Sequence, residues 1–165
     1  MGSRAGAQGW LPRALTQARK SVGLSQADLA KRLKVSRQMI VRYETEDGAA
    51  PAAEKLRALA QELGASPSAF IDSHAQGMAV LRARVGLSQK QVVEQVRTDL
   101  SLQAYRGVES GRVARLRSMD AQALAEVFGV TAEDIRAAHE HDLSRTRQNV
   151  TAPHTFAGDS ATTQT

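Results

Sequence analysis

The chain has 165 residues and a net charge of +5, enough length for one ordinary domain or two small ones. It has no cysteine, which excludes disulfides and thiolate metal sites. No apolar run approaches the roughly 18 residues of a membrane span, and the N-terminus lacks a signal-peptide core, so the chain reads as soluble and cytoplasmic.

Residues 1–9, rich in Gly, Ala and Ser, read as disordered. From Trp10 the pattern is helical. Pro12 is placed to open a helix whose apolar positions are Leu11, Leu15, Ala18 and Val22, and Gly23 ends it. Ser25 with Asp28 forms a capping box for a second helix burying Leu29, Ala30 and Leu33. Ser36 caps a third that turns Ile40 and Tyr43 inward. Pro51 starts a fourth, with Leu56, Leu59, Ala60 and Leu63 on one face and Gly64 as its stop. Ser66-Pro67 opens a short fifth helix carrying Phe70 and Ile71.

Residues 73–77 form a linker between units at 10–72 and 78–142, short enough for the two to touch. The second unit repeats each step: Met78, Leu81 and Val85; Ser88 with Gln91; Leu124, Val127 and Phe128; Gly129; then Thr131 with Asp134. The polar, Thr-rich residues 143–165 read as a disordered tail.

The repeat extends to single residues. Gly23-Leu-Ser-Gln26 recurs as Gly86-Leu-Ser-Gln89, with Arg19 and Arg82 each four residues earlier. Glu44 precedes Gly64 by twenty residues and Glu109 precedes Gly129 by twenty, so the chain carries a duplicated module of roughly 60 residues. The copies differ in charge. Residues 1–73 hold eleven Lys or Arg against seven acids, and residues 74–143 hold nine of each. The basic first copy permits a nucleic-acid partner.

Gln26 to Glu44 reads QADLAKRLKVSRQMIVRYE, two short apolar-faced helices joined by a tight turn with small Ala30 at their crossing. That is the layout of a helix-turn-helix, which presents its second helix to a DNA major groove. The chain here resembles the phage-repressor and Cro type of helix-turn-helix domain, the XRE family, over about residues 11–71 and, more weakly, 78–137. The fold expected is all-α, two tandem five-helix lambda-repressor-like helix-turn-helix bundles with disordered termini.

The resemblance implies roles. Arg19 with Glu44, and Arg82 with Glu109, occupy the positions of a partly buried structural ion pair. Base reading falls to Arg37, Gln38 and Arg42 on the outer face of the third helix; Arg suits guanine and Gln suits adenine. Gln26, Ser36 and Lys34 are the expected phosphate contacts, Gln26 also bracing the third helix, although Lys31, Arg32 and Lys34 read equally well as a solvated face.

Two departures stand out in the first unit. Lys34 occupies a turn position the family usually gives to Gly, and the loop after the third helix, Thr45-Glu46-Asp47-Gly48, is acidic. In the second unit Arg97-Thr98-Asp99-Leu100-Ser101 lengthens the turn by two residues, Val93 replaces the small crossing residue, and Gly107 stands where Arg42 would be. Gln89, Gln103, Arg106, Arg112 and Arg115 remain there as candidate DNA contacts, with Arg117 beside them, and backbone or protein contact is favoured over base reading.

The four histidines have no metal spacing, and no Gly-rich phosphate loop or catalytic constellation occurs, so neither cofactor, metal nor enzyme activity is expected. Trp10 reads as a core staple. The function expected is a sequence-specific DNA-binding transcriptional regulator, a repressor, whose partner is double-stranded DNA, bound as a homodimer on a palindrome or by both units of a monomer on one asymmetric site. The alternative is a protein-interaction module, such as an antitoxin or plasmid or phage maintenance regulator, with the second unit binding a protein partner or mediating dimerisation.

Overall fold

The computed structural model describes residues 6–151. Among these, the chain forms α1 (Pro12–Ser21), α2 (Gln26–Arg32), α3 (Arg37–Glu44), α4 (Ala53–Glu62), a 3-10 turn (Pro67–Phe70), α5 (Met78–Arg84), α6 (Gln89–Gln95), α7 (Leu102–Glu109), α8 (Ser118–Phe128) and α9 (Ala132–Thr151). The all-α expectation holds.

Local chemistry sets most helix starts. Ser25 Oγ accepts from the Asp28 N–H at 3.0 Å while the Ser25 N–H donates to Asp28 Oδ2 at 2.9 Å. Ser88 with Gln91, and Thr131 with Asp134, repeat the arrangement. Each box satisfies two N–H groups that have no partner within their helix.

Departures from expectation fall at element ends. Val22 is 47% exposed and Leu11 37% exposed, because they are the capping residues of α1 and lie off its apolar face. Pro51 does not open α4, which starts at Ala53; Pro51 is buried, and its carbonyl accepts from the Ala7 N–H at 2.9 Å. Residues 6–9, expected in a disordered N-terminus, join the fold, the Gly9 carbonyl accepting from the Asp72 N–H at 2.7 Å. Residues 1–5 and 152–165 lie outside the described residues.

Two apolar clusters organise the helices. The first centres on Leu15, Leu29, Ile40, Leu56, Leu59 and Phe70, and the second on Met78, Val92, Tyr105, Leu124 and Ile135. Trp10 staples the first, packing on Phe70 at 5.9 Å between ring centroids and donating from Nε1 to the Tyr43 carbonyl at 2.9 Å.

Helix α5 serves both clusters. Val80 and Ala83 sit in the first, Met78 and Leu81 in the second. Arg84 adds hydrogen bonds to the carbonyls of Asp72, Ser73 and Ala75, at 3.1, 3.0 and 3.1 Å, holding the connecting segment against the helix it leads into. The contact expected between the units is thus a shared helix.

Helix α9 runs to Thr151, so residues 143–151, expected in the disordered tail, are helical. Leu143 is buried, and Thr146 Oγ1 donates to the Ser110 carbonyl at 2.9 Å. Asp142, 1% exposed, accepts from the Met78 N–H at 2.8 Å and so caps α5, whose own N-cap residue is Gly77. Burial pushes the Asp142 carboxyl above its ordinary range, against the pull of the Met78 N–H and of Arg145.

Candidate nucleic-acid interface

In the first bundle α2 and α3 pack closely, with α3 also against α1. An ion pair locks this arrangement. Arg19 donates from Nε to Glu44 Oε1 at 2.6 Å and from Nη2 to Oε2 at 3.0 Å, while Nη1 reaches the Leu24 carbonyl at 2.7 Å. Gln26 Nε2 donates to Glu44 Oε2 at 2.8 Å. The first helix, the start of the second and the end of the third therefore meet on one carboxylate.

The second bundle repeats the set. Arg82 holds Glu109 through two bonds of 2.8 Å and the Leu87 carbonyl through a third of 2.8 Å, and Gln89 Nε2 donates to Glu109 Oε1 at 2.9 Å. Burial pushes both glutamates up, yet the hydrogen bonds and charge of their arginines hold each below the ordinary carboxylate range.

With its inner face locked, α3 leaves Arg37, Gln38, Val41 and Arg42 exposed. These positions share one helical face. Arg37 lines a shallow concavity of about 480 Å³ with Ser25, Gln26 and Ala27, at the mouth of the helix-turn-helix. Ser36 is exposed and caps α3, its Oγ accepting from the Met39 N–H at 3.2 Å. Gln26 performs the bracing role, its amide N–H committed to Glu44. Sequence reasoning missed Val41, although its spacing from Arg37 and Gln38 places it on the same exposed face; an exposed apolar side chain there suits a thymine methyl.

Lys34 is exposed, with φ of 53°, the one described non-glycine residue at positive φ. A side chain in this conformation costs roughly 1–2 kcal/mol. Lys34→Gly is expected to raise stability by about 1 kcal/mol, part of the relief being lost to a freer unfolded chain; an unchanged or lower denaturation midpoint would contradict it. In the acidic loop, Glu46 is drawn to Arg13 of α1 at 2.6 Å.

The second bundle places its candidates differently. Gln89, Gln103, Arg106 and Arg112 line one concavity, whereas Arg115 lines a separate one beside Asp99 and Asp120. Arg117, grouped with them on sequence, is engaged structurally, bound to Asp99 and Asp120 at 2.6 Å each. Thr98 Oγ1 donates to Asp120 Oδ1 at 2.8 Å, so the two-residue extension of the turn is tied to α8. Proximity in sequence to Arg112 gave no hint of this, because Asp99 comes from an earlier loop, while Asp120 lies three residues on, in α8.

His139 is buried with Nε2 at 2.7 Å from the Val113 carbonyl, and His141 lies beside Asp142. No group of metal-ligating side chains occurs among the described residues, and no described helix is long and apolar enough to cross a membrane.

Comparison with curated proteins and with solved structures finds no match. Residues 15–70, which span α1 to the 3-10 turn, match the family model described as helix-turn-helix. The first bundle is accordingly similar to helix-turn-helix domains of the XRE type, a similarity that supports DNA binding.

Proposed function

We propose that the protein is a cytoplasmic, sequence-specific transcriptional repressor that reads the major groove with α3 of its first unit, the second unit being a divergent copy of the same domain. Arg37 and Arg42 would take guanine edges, Gln38 an adenine edge, and Val41 a thymine methyl, while Ser36 and Lys34 hold phosphates. The observation that carries this reading is the exposure of these four side chains on one face of α3, whose opposite face is fixed by Ile40, Tyr43 and the Arg19–Glu44 pair.

Fluorescence anisotropy against duplexes selected from a random library tests it. Binding should weaken steeply with salt, since each phosphate contact adds about 0.9 to the logarithmic slope. Absence of binding at low salt defeats the proposal. Arg37→Ala is expected to cost about 1–3 kcal/mol of affinity and to relax preference at one base-pair position. A sequence preference identical to that of the parent protein would remove Arg37 from the reading set. A two-fold symmetric footprint would assign a homodimer, and a short asymmetric one a monomer.

A further inference from the structure

In the second bundle the last turn of α7 is packed by the chain that follows it, while Gln103 and Arg106 earlier on the helix stay exposed. Gly107 occupies the position of Arg42, and a Cβ there would stand 2.6 Å from Val113 Cγ2. Its carbonyl accepts from the N–H groups of Arg112 and Val113, at 2.9 and 3.2 Å. The buried His139 ring, in turn, holds the Val113 carbonyl. The segment from Ser110 to Val113 is thus folded against the last turn of α7, and the glycine is what lets it lie there.

Beside that segment lies a concavity of about 890 Å³, lined by Gln89, Gln103, Arg106, Gly107, Arg112 and Val113 among others. None of the described residues lining it bears a carboxylate. Arg106 is pre-positioned, its Nε donating to Gln89 Oε1 at 3.2 Å, and Gln89 is itself fixed on Glu109. The balanced charge of this half conceals the local excess, because none of its carboxylates lines the concavity and four are paired elsewhere: Glu109 with Arg82, Asp99 and Asp120 with Arg117, Glu94 with Lys90.

We infer that this concavity is a clamp for the DNA phosphate backbone, in which Arg106 and Arg112 hold phosphates and Gly107 presents no side chain at the position of Arg42. The inference rests on the first unit being the reader. Two arginines without an acidic neighbour in the lining suit an anion, and Gly107 leaves no projecting side chain at the Arg42 position to discriminate bases.

The test compares the full chain with Arg106→Gln/Arg112→Gln and Arg106→Lys/Arg112→Lys, on a selected duplex and on a random one, across a salt series. The Gln pair should lower affinity by the same factor on both duplexes, reduce the salt slope by about 1.8, and leave the selected sequence unchanged. The Lys pair should restore most of the slope, since a point charge serves a phosphate but not bidentate base recognition. Arg112→Gln alone, which removes no hydrogen bond of the fold, should lower the slope by about 0.9. An unchanged slope in the Gln variants, a shifted sequence preference, or failure of the Lys pair to restore binding would each overturn the clamp. If the parent protein binds neither duplex at low salt, it is the reader assignment that has failed instead.

Discussion

Glu44→Ala is expected to destabilise the protein by about 3–5 kcal/mol, the cost of leaving a buried charge without its partner. The side chains of Arg19 and Glu44 are only 9% and 6% exposed. With the carboxylate gone, the guanidinium keeps the Leu24 carbonyl as its acceptor, and the Gln26 amide loses its bond as well. A pair of similar length gives the contrast. Arg13 and Glu46 are also 2.6 Å apart, but their side chains are 87% and 59% exposed, so Glu46→Ala should cost less than about 1 kcal/mol. Urea denaturation of both variants at pH 7 checks the difference, and equal losses would show that burial does not set the strength of the Arg19–Glu44 pair.

The same carboxylates set an acid limit. Glu44 and Glu109 are held below the ordinary glutamate value of 4.5, so the folded state binds their protons less readily than the unfolded chain does. Their contribution is complete above that value and is lost as pH falls through the lowered folded values. Asp142 works in the opposite sense: its raised value withdraws stability as pH rises from about 3.8 through the folded value. Asp28, Asp99 and Asp134 are also lowered, so the lowered carboxylates outnumber the one raised aspartate and should give net acid destabilisation below about pH 4.5. Glu44→Gln should flatten that fall.

Gly111→Ala is expected to cost about 2–5 kcal/mol, the sum of a left-handed alanine and an overpacked contact. Gly111 has φ of +68°, and a Cβ would stand 2.3 Å from the Asp142 carbonyl oxygen and 2.6 Å from its carbonyl carbon. Those are backbone atoms of α9 and cannot rotate away. Gly129→Ala supplies the control, since its φ of +67° is nearly the same but no atom lies within 4 Å of a Cβ there. That variant should lose only the conformational part, about 1–2 kcal/mol. Similar losses in the two variants would mean that α9 is not held against the loop after α7.

Much of the scaffold was legible because it depends on neighbours in sequence or on helical spacing. Ser25 with Asp28, Ser88 with Gln91, and the apolar faces built on Leu29, Ile40, Leu56 and Leu124 all follow from residues three or four apart. The exposed face of α3 was legible in part: Arg37, Gln38 and Arg42 were placed there by the resemblance and their polarity, and Val41 was missed because an apolar residue in an amphipathic helix is ordinarily assigned to the core. The α9 extension was missed because residues 143–151 place only occasional side chains on the bundle, Leu143 and Thr146 among them.

By itself, the amino-acid sequence determined the helical fold and the basic start of α3, which are encoded in short-range pattern, while the two Arg–Glu locks were implied by its resemblance to the phage-repressor type of domain. Only the tertiary structure decided that α5 belongs to both clusters, that Asp142 caps it from 64 residues away, and that the segment after α7 closes over Gly107. These features join residues distant along the chain or depend on the fit of one backbone against another side chain, and neither is carried by periodicity.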